Sequence, residues 1–157
     1  MSGDKVNVYH QNQKTTLGTT GNSRDTDSRA LAACARRLEE ARDNLAANLK
    51  SKDALKEYGD AIRHNQRLWT IFQVAVADPQ NPLPHDLKLT LLNLGRYVDK
   101  TSFRATGKYE PGLIDSLIEI NRIIASGLNK PVNADALMPS TGAIGTTDTP
   151  TSLMTSA

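Results

Sequence analysis

The chain has 157 residues, of which 38% are hydrophobic and 23% charged, ordinary proportions for one domain with a single core. Its formal charge of +2 lacks the strong basic excess of a committed nucleic-acid binder, although it does not by itself exclude RNA contact. One cysteine, Cys34, excludes an intrachain disulfide. With aromatics at 4% and apolar content dominated by Leu, Ala and Ile, the composition favours helices over a β-sandwich.

Residues 1–22 are polar and rich in Thr, Gln, Asn and Gly, and read as a flexible N-terminal arm. They contain no apolar core of a secretory signal. No segment of the chain approaches the roughly 20 apolar residues that span a bilayer. The expected location is therefore the cytoplasm, with no membrane partner.

Residues 23–130 carry four stretches of helical periodicity. The first runs from about Arg24 to Leu49, with Ser23, Asp25 or Thr26 as candidate caps. Leu31, Cys34, Leu38, Ala41 and Leu45 form its apolar stripe. Cys34 reads as a small buried hydrophobe rather than a reactive thiol. The opposite face carries Arg36, Arg37, Glu39, Glu40, Arg42 and Asp43. It reads as a solvated face with weak local pairs such as Arg36 with Glu40.

The second helix is expected from just after Ser51 to about Ala77. Leu55, Tyr58, Ile62, Asn65, Trp69, Phe72 and Val76 keep a three-four rhythm, and Leu68 and Ile71 widen the apolar face. Asp78-Pro79 should end it, because the residue before a proline disfavours α geometry. The stiff loop through Pro84 leads into a third helix with the stripe Leu87, Leu91, Leu94 and Val98. That helix is expected to weaken around Thr101 to Gly107. A fourth runs from Pro111 to about Ser126, with Leu113, Leu117, Ile120 and Ile124 on one stripe and Ile114, Ile118 and Leu128 beside it. Gly127 reads as its left-handed cap. The fold expected is all-α: a small antiparallel helical bundle. Residues 131–157, rich in Thr, Ser, Pro and Gly, read as a disordered tail. Leu137, Met138, Leu153 and Met154 are its only candidates for a docking motif.

No catalytic, metal or cofactor signature emerges. His10, His64 and His85 match no metal-ligand spacing. Asp60, Asp99, Asp115 and Glu119 form no readable acid–base pair, and no phosphate-cradling glycine loop is present. The informative residues are polar groups within apolar runs. Asn65 and Asn121 have two readings: they bond to backbone or to each other and fix helix register, or they contact the backbone of a bound helix. Trp69 and Phe72 are either core or a partly exposed anchor, with Leu68 and Ile71 completing a groove and Arg67 and Arg122 at its rim.

The run Asn65-Gln66-Arg67-Leu68-Trp69-Thr70-Ile71-Phe72 resembles the core motif of the flagellar biosynthesis regulator FlaF. The loop Asp78-Pro79-Gln80-Asn81-Pro82-Leu83-Pro84 is similar to the one that follows it in that family. The closing helix Leu117-Ile118-Glu119-Ile120-Asn121-Arg122-Ile123-Ile124-Ala125-Ser126-Gly127-Leu128 and the early stretch Tyr9 to Gln13 add to the likeness, which covers about Tyr9 to Leu128. The Thr- and Ser-rich tail departs from it. The resemblance implies a non-enzymatic, cytoplasmic, α-proteobacterial protein needed for flagellin synthesis and filament assembly, working alongside the translational regulator FlbT. It implies flagellin as the direct partner, with the protein as chaperone or coupling factor. Two other partners stay open on the residues alone. Flagellin mRNA is suggested by Lys50, Lys52, Lys56, Arg63 and Arg67. A second copy of the chain is suggested by the wide apolar face of the fourth helix.

Overall fold

The computed structural model describes residues 21–130; residues 1–20 of the expected arm and the expected tail lie outside these, while the arm's last two residues, Gly21 and Asn22, are helical. The described residues form four helices, α1 Gly21–Ala47, α2 Lys52–Ala77, α3 His85–Gly107 and α4 Pro111–Asn129. They pack as a closed ring, α1 against α2, α2 against α3, α3 against α4, and α4 most extensively back against α1. The antiparallel sense of that closure is set at two levels. Ser28, near the start of α1, donates its hydroxyl to the Ala125 carbonyl near the end of α4 at 2.8 Å. Arg42, late in α1, reaches Asp115, early in α4, at 2.7 Å. The expected all-α bundle is therefore what forms. Among the described residues no helix is long and apolar enough to cross a membrane.

The stripes of α1 and α2 turn inward, whereas on α3 only Val98 of its stripe is buried, and on α4 Ile114, Leu117 and Ile118 are buried while Leu113, Ile120, Ile124 and Leu128 are half-buried. On α1, Leu31, Cys34, Leu38, Ala41 and Leu45 are all buried. Burial pushes the Cys34 thiol up to about 11, as expected for a buried small hydrophobe. On α2, Tyr58, Ile62, Asn65, Trp69, Phe72 and Val76 are buried, whereas Leu55, in the first turn, stays 47% exposed. Ser51 caps α2, its hydroxyl accepting from the Ala54 N–H at 3.1 Å. Asp78, with ψ of 126°, ends it before Pro79. The loop beyond is held by Asn81, whose amide nitrogen donates to the Ala75 carbonyl at 3.0 Å and whose amide oxygen accepts from the Leu83 N–H at 3.0 Å.

Three local expectations are corrected. None of Ser23, Asp25 and Thr26 is a helix cap, because the chain is already helical at Gly21, and Ser23 is a buried residue within α1. The third helix, α3, does not weaken at Thr101 but continues through Gly107. Thr101, Ser102 and Ala105 are buried there, so tertiary packing overrides low intrinsic propensity. Gly127 is not a left-handed cap: α4 runs on to Asn129, and the Lys130 N–H closes onto the Gly127 carbonyl at 3.4 Å.

The charged face of α1 also differs from the simple solvated reading. Arg36 and Glu40 are exposed, but Arg42 gathers Glu39, Asp43 and Asp115. Glu39 in turn accepts from Arg122 of α4 at 2.7 Å. Two of these pairs, Arg42–Asp115 and Glu39–Arg122, stitch α1 to α4 along the outside of the bundle. As ion pairs at the bundle surface, each contributes about 0–1 kcal/mol.

Candidate functional site

The motif on α2 and the matching stretch of α4 meet in the core. Asn65 and Trp69 are four residues apart, so they lie one above the other on the inner face of α2. Asn121 faces them from α4. The Trp69 Nε1–H donates to Asn121 Oδ1 at 2.8 Å, and Asn121 Nδ2 donates to Asn65 Oδ1 at 2.6 Å. Because the indole can only donate, Asn121 must present its oxygen to Trp69 and its nitrogen to Asn65. The three side chains are 0–1% exposed. Phe72 is 2% exposed and packs edge-on against Trp69, with ring centroids 5.9 Å apart and planes at 80°. One atom of the cluster, Asn65 Nδ2, has no hydrogen-bond partner.

This geometry decides between the two readings of those residues. The asparagines bond to each other and tie α2 to α4. Trp69 and Phe72 are core, so the expected groove floored by these aromatics is not present. The physical reason is that the indole N–H finds its partner inside, on Asn121, and needs no surface exposure.

The remaining motif residues lie elsewhere. Leu68 is half-buried at the edge of the core, while Ile71 is 54% exposed on the outside of α2. Arg67 is exposed. Arg122 is exposed too, but it is engaged with Glu39 rather than poised at a rim. One further residue belongs with Ile71: Val74, three positions on and 69% exposed. Its signal in the sequence is an apolar side chain out of phase with the inner stripe.

The basic residues proposed for RNA are partly committed. Lys56 and Arg63 both hold Asp60, at 2.9 and 2.6 Å. The Arg63 and Lys56 contacts lower that carboxyl to about 2. His64 and His85 are exposed, and His10 lies outside the described residues. Among the described residues no group of three or more His, Cys, Asp or Glu side chains is placed to hold a metal ion.

A residue that apolar periodicity does not single out is Asp27. It sits four positions before Leu31, in phase with the α1 stripe, and is 3% exposed. Its Oδ2 has no partner, and burial raises its carboxyl to about 6.

Comparison with curated proteins and with solved structures returns no match. The sequence pattern of one family, described as Flagellar protein FlaF, matches residues 7–128. That span takes in all of α1, α2 and α3 and nearly all of α4, including both halves of the Trp69–Asn121–Asn65 cluster. The chain belongs to the FlaF family of flagellar proteins.

Proposed function

We propose that this flagellar protein acts in the cytoplasm, without catalysis, by binding flagellin as a chaperone or post-transcriptional coupling factor. The observation that carries the reading is the apolar row on the outer flank of α2. Leu68 is half-buried, and Ile71 and Val74 are 54% and 69% exposed, at the three-residue spacing that keeps them on neighbouring turns. Such a row suits the apolar face of an amphipathic helix, and Arg67 beside it would steer an acidic approach. Trp69 and Phe72 support the row from beneath rather than touching the guest. A link with FlbT and an action after transcription fit the same job.

The test is binding of purified flagellin by isothermal titration. The comparison is between the natural chain and the double variant Ile71→Asp, Val74→Asp, whose fold is checked by circular dichroism. Micromolar binding that weakens at least tenfold in the folded double variant is expected. No binding at tens of micromolar, or equal binding by both proteins, would refute the reading. A gel shift on the flagellin leader RNA, repeated across salt, addresses the mRNA alternative. Salt-sensitive retention of RNA without flagellin binding would favour it.

A further inference from the structure

The outer face of α3 carries a row of exposed cations, Arg96, Lys100 and Arg104. They are spaced four residues apart, so they climb one side of the helix over about 12 Å. That side is opposite Val98, Thr101, Ser102 and Ala105, which are buried in the bundle. Among the described residues, Arg96 and Lys100 stand within ion-pair distance of no carboxylate. Arg104 reaches Glu110 only at 3.7 Å, and that carboxylate is held more closely by Lys108, at 3.0 Å. The acid within the span of the row, Asp99, is half-buried and accepts from Gln73 Nε2 of α2 at 3.2 Å. Two aromatic rings flank the row. Tyr97 and Phe103 lie three residues before and after Lys100, which sets them about 60° to opposite sides of it around the helix. Tyr97 is 48% exposed and Phe103 78%, the highest value among the large hydrophobic side chains of the described residues. The other phenylalanine of the chain, Phe72, is core.

We propose that this face binds single-stranded RNA, with the phosphate backbone along the cation row and a base stacked on each ring. A basic stripe along one helix is the electrostatic footprint of a nucleic-acid surface. Cations combined with exposed rings form the platform on which single strands bind without sequence readout. The order of groups across the face selects this occupant. Charge runs down the middle and the rings stand at the flanks, which matches a thin polyanion whose flat bases turn away from its backbone. A helix that lies on a lipid surface has the reverse order, with apolar side chains central and cations beside them. The exposed aliphatic side chain on this line, Leu89, is about two turns before Arg96. A polyacidic chain would use the cations alone and leave the rings uncovered. The face belongs to α3, apart from the Ile71 and Val74 row of α2 and from the cations between Lys50 and Arg67. It therefore stands or falls independently of flagellin docking.

The experiment is fluorescence anisotropy of a labelled oligouridylate titrated with the full-length chain across a salt series. Saturable binding is expected, with a log–log salt slope of about −1.5 to −2, because each phosphate neutralised on a single strand contributes roughly 0.7. The double variant Arg96→Gln, Lys100→Gln should bind at least tenfold more weakly. Phe103→Ala should bind at least fivefold more weakly, through lost stacking. All these side chains are exposed, so circular dichroism should show the helix content of each variant unchanged. The charge-matched variant Lys50→Gln, Lys52→Gln, also at exposed positions, should stay within twofold of the natural chain. No saturation at hundreds of micromolar protein in low salt would overturn the proposal. So would equal weakening by the Lys50 and Lys52 substitutions, unchanged affinity in Phe103→Ala, or equally effective competition by polyglutamate or by phosphatidylserine vesicles.

Discussion

Replacing Asn121 by alanine should be the most damaging single change in the buried polar cluster, and for a countable reason. The substitution removes both hydrogen bonds at once, leaving the Trp69 Nε1–H and Asn65 Oδ1 without partners at sites 0–1% exposed. Each buried orphan costs roughly 1–3 kcal/mol. A loss of about 3–5 kcal/mol in unfolding free energy follows from two such orphans, a large share of the roughly 5–15 kcal/mol typical of a domain. Asn65→Ala behaves differently. It orphans Asn121 Nδ2 but also deletes Asn65 Nδ2, which already lacks a partner. The number of unsatisfied groups is unchanged, and the loss is about one hydrogen bond, roughly 1–2 kcal/mol including local repacking. Urea unfolding measures both, followed by the emission of Trp69, the sole tryptophan, and by circular dichroism. An unchanged urea slope would confirm that stability alone has moved. Equal losses in the two variants, or a smaller loss for Asn121→Ala, would refute the bridging role of Asn121 between Trp69 and Asn65.

Other expectations concern single sites. Asp27 ionises at about 6 in the folded chain against about 3.9 for an unfolded aspartate, so the folded state holds more protons between those values. Stability should therefore fall as pH rises from about 4 to 6, by up to about 3 kcal/mol from this group. Asp27→Asn should flatten that slope and stabilise the chain at pH 7, read as the difference in urea midpoints at pH 4.5 and 7. Cys34, buried and with its thiol pushed up to about 11, should react with a thiol reagent only as fast as the chain opens; labelling with and without urea checks this. Ser51→Ala removes the α2 cap and should cost about 1 kcal/mol, measured in the same urea assay.

The inner faces of the helices are legible in the sequence, because a three-four rhythm is local and survives any arrangement of neighbours. The α1 stripe and the run from Tyr58 to Val76 need no tertiary information. What periodicity does not encode is which side of a wide apolar face meets a neighbour. Trp69, Leu68 and Ile71 are close together in the motif, yet they end up sealed, half-buried and exposed respectively. Only the positions of the neighbouring helices, chiefly α1 and α3, separate them. The Asn65–Asn121 bond spans 56 residues and shows in the sequence merely as two amides in apolar surroundings. The helix ends are hard to read for a related reason. Thr101 to Gly107 and Gly127 look weak by propensity, but burial and the continuing backbone ladder hold them helical. Asp27 escapes notice because a carboxylate in phase with a stripe looks like an interruption until its surroundings are seen.

The bond from Ser28 to Ala125 joins positions 97 residues apart, and the α1–α4 seam it belongs to is the most extensive in the bundle. During synthesis at about 5–20 residues per second, α1 therefore waits roughly 5–20 seconds after leaving the ribosome before its main neighbour is made. Through that interval the α1–α2 hairpin can form, but the side of the Leu31–Leu45 stripe that α4 will cover stays open to other nascent chains. Completion of this fold is thus a late event in translation, gated by the last helix, and local pairing alone does not bring it about.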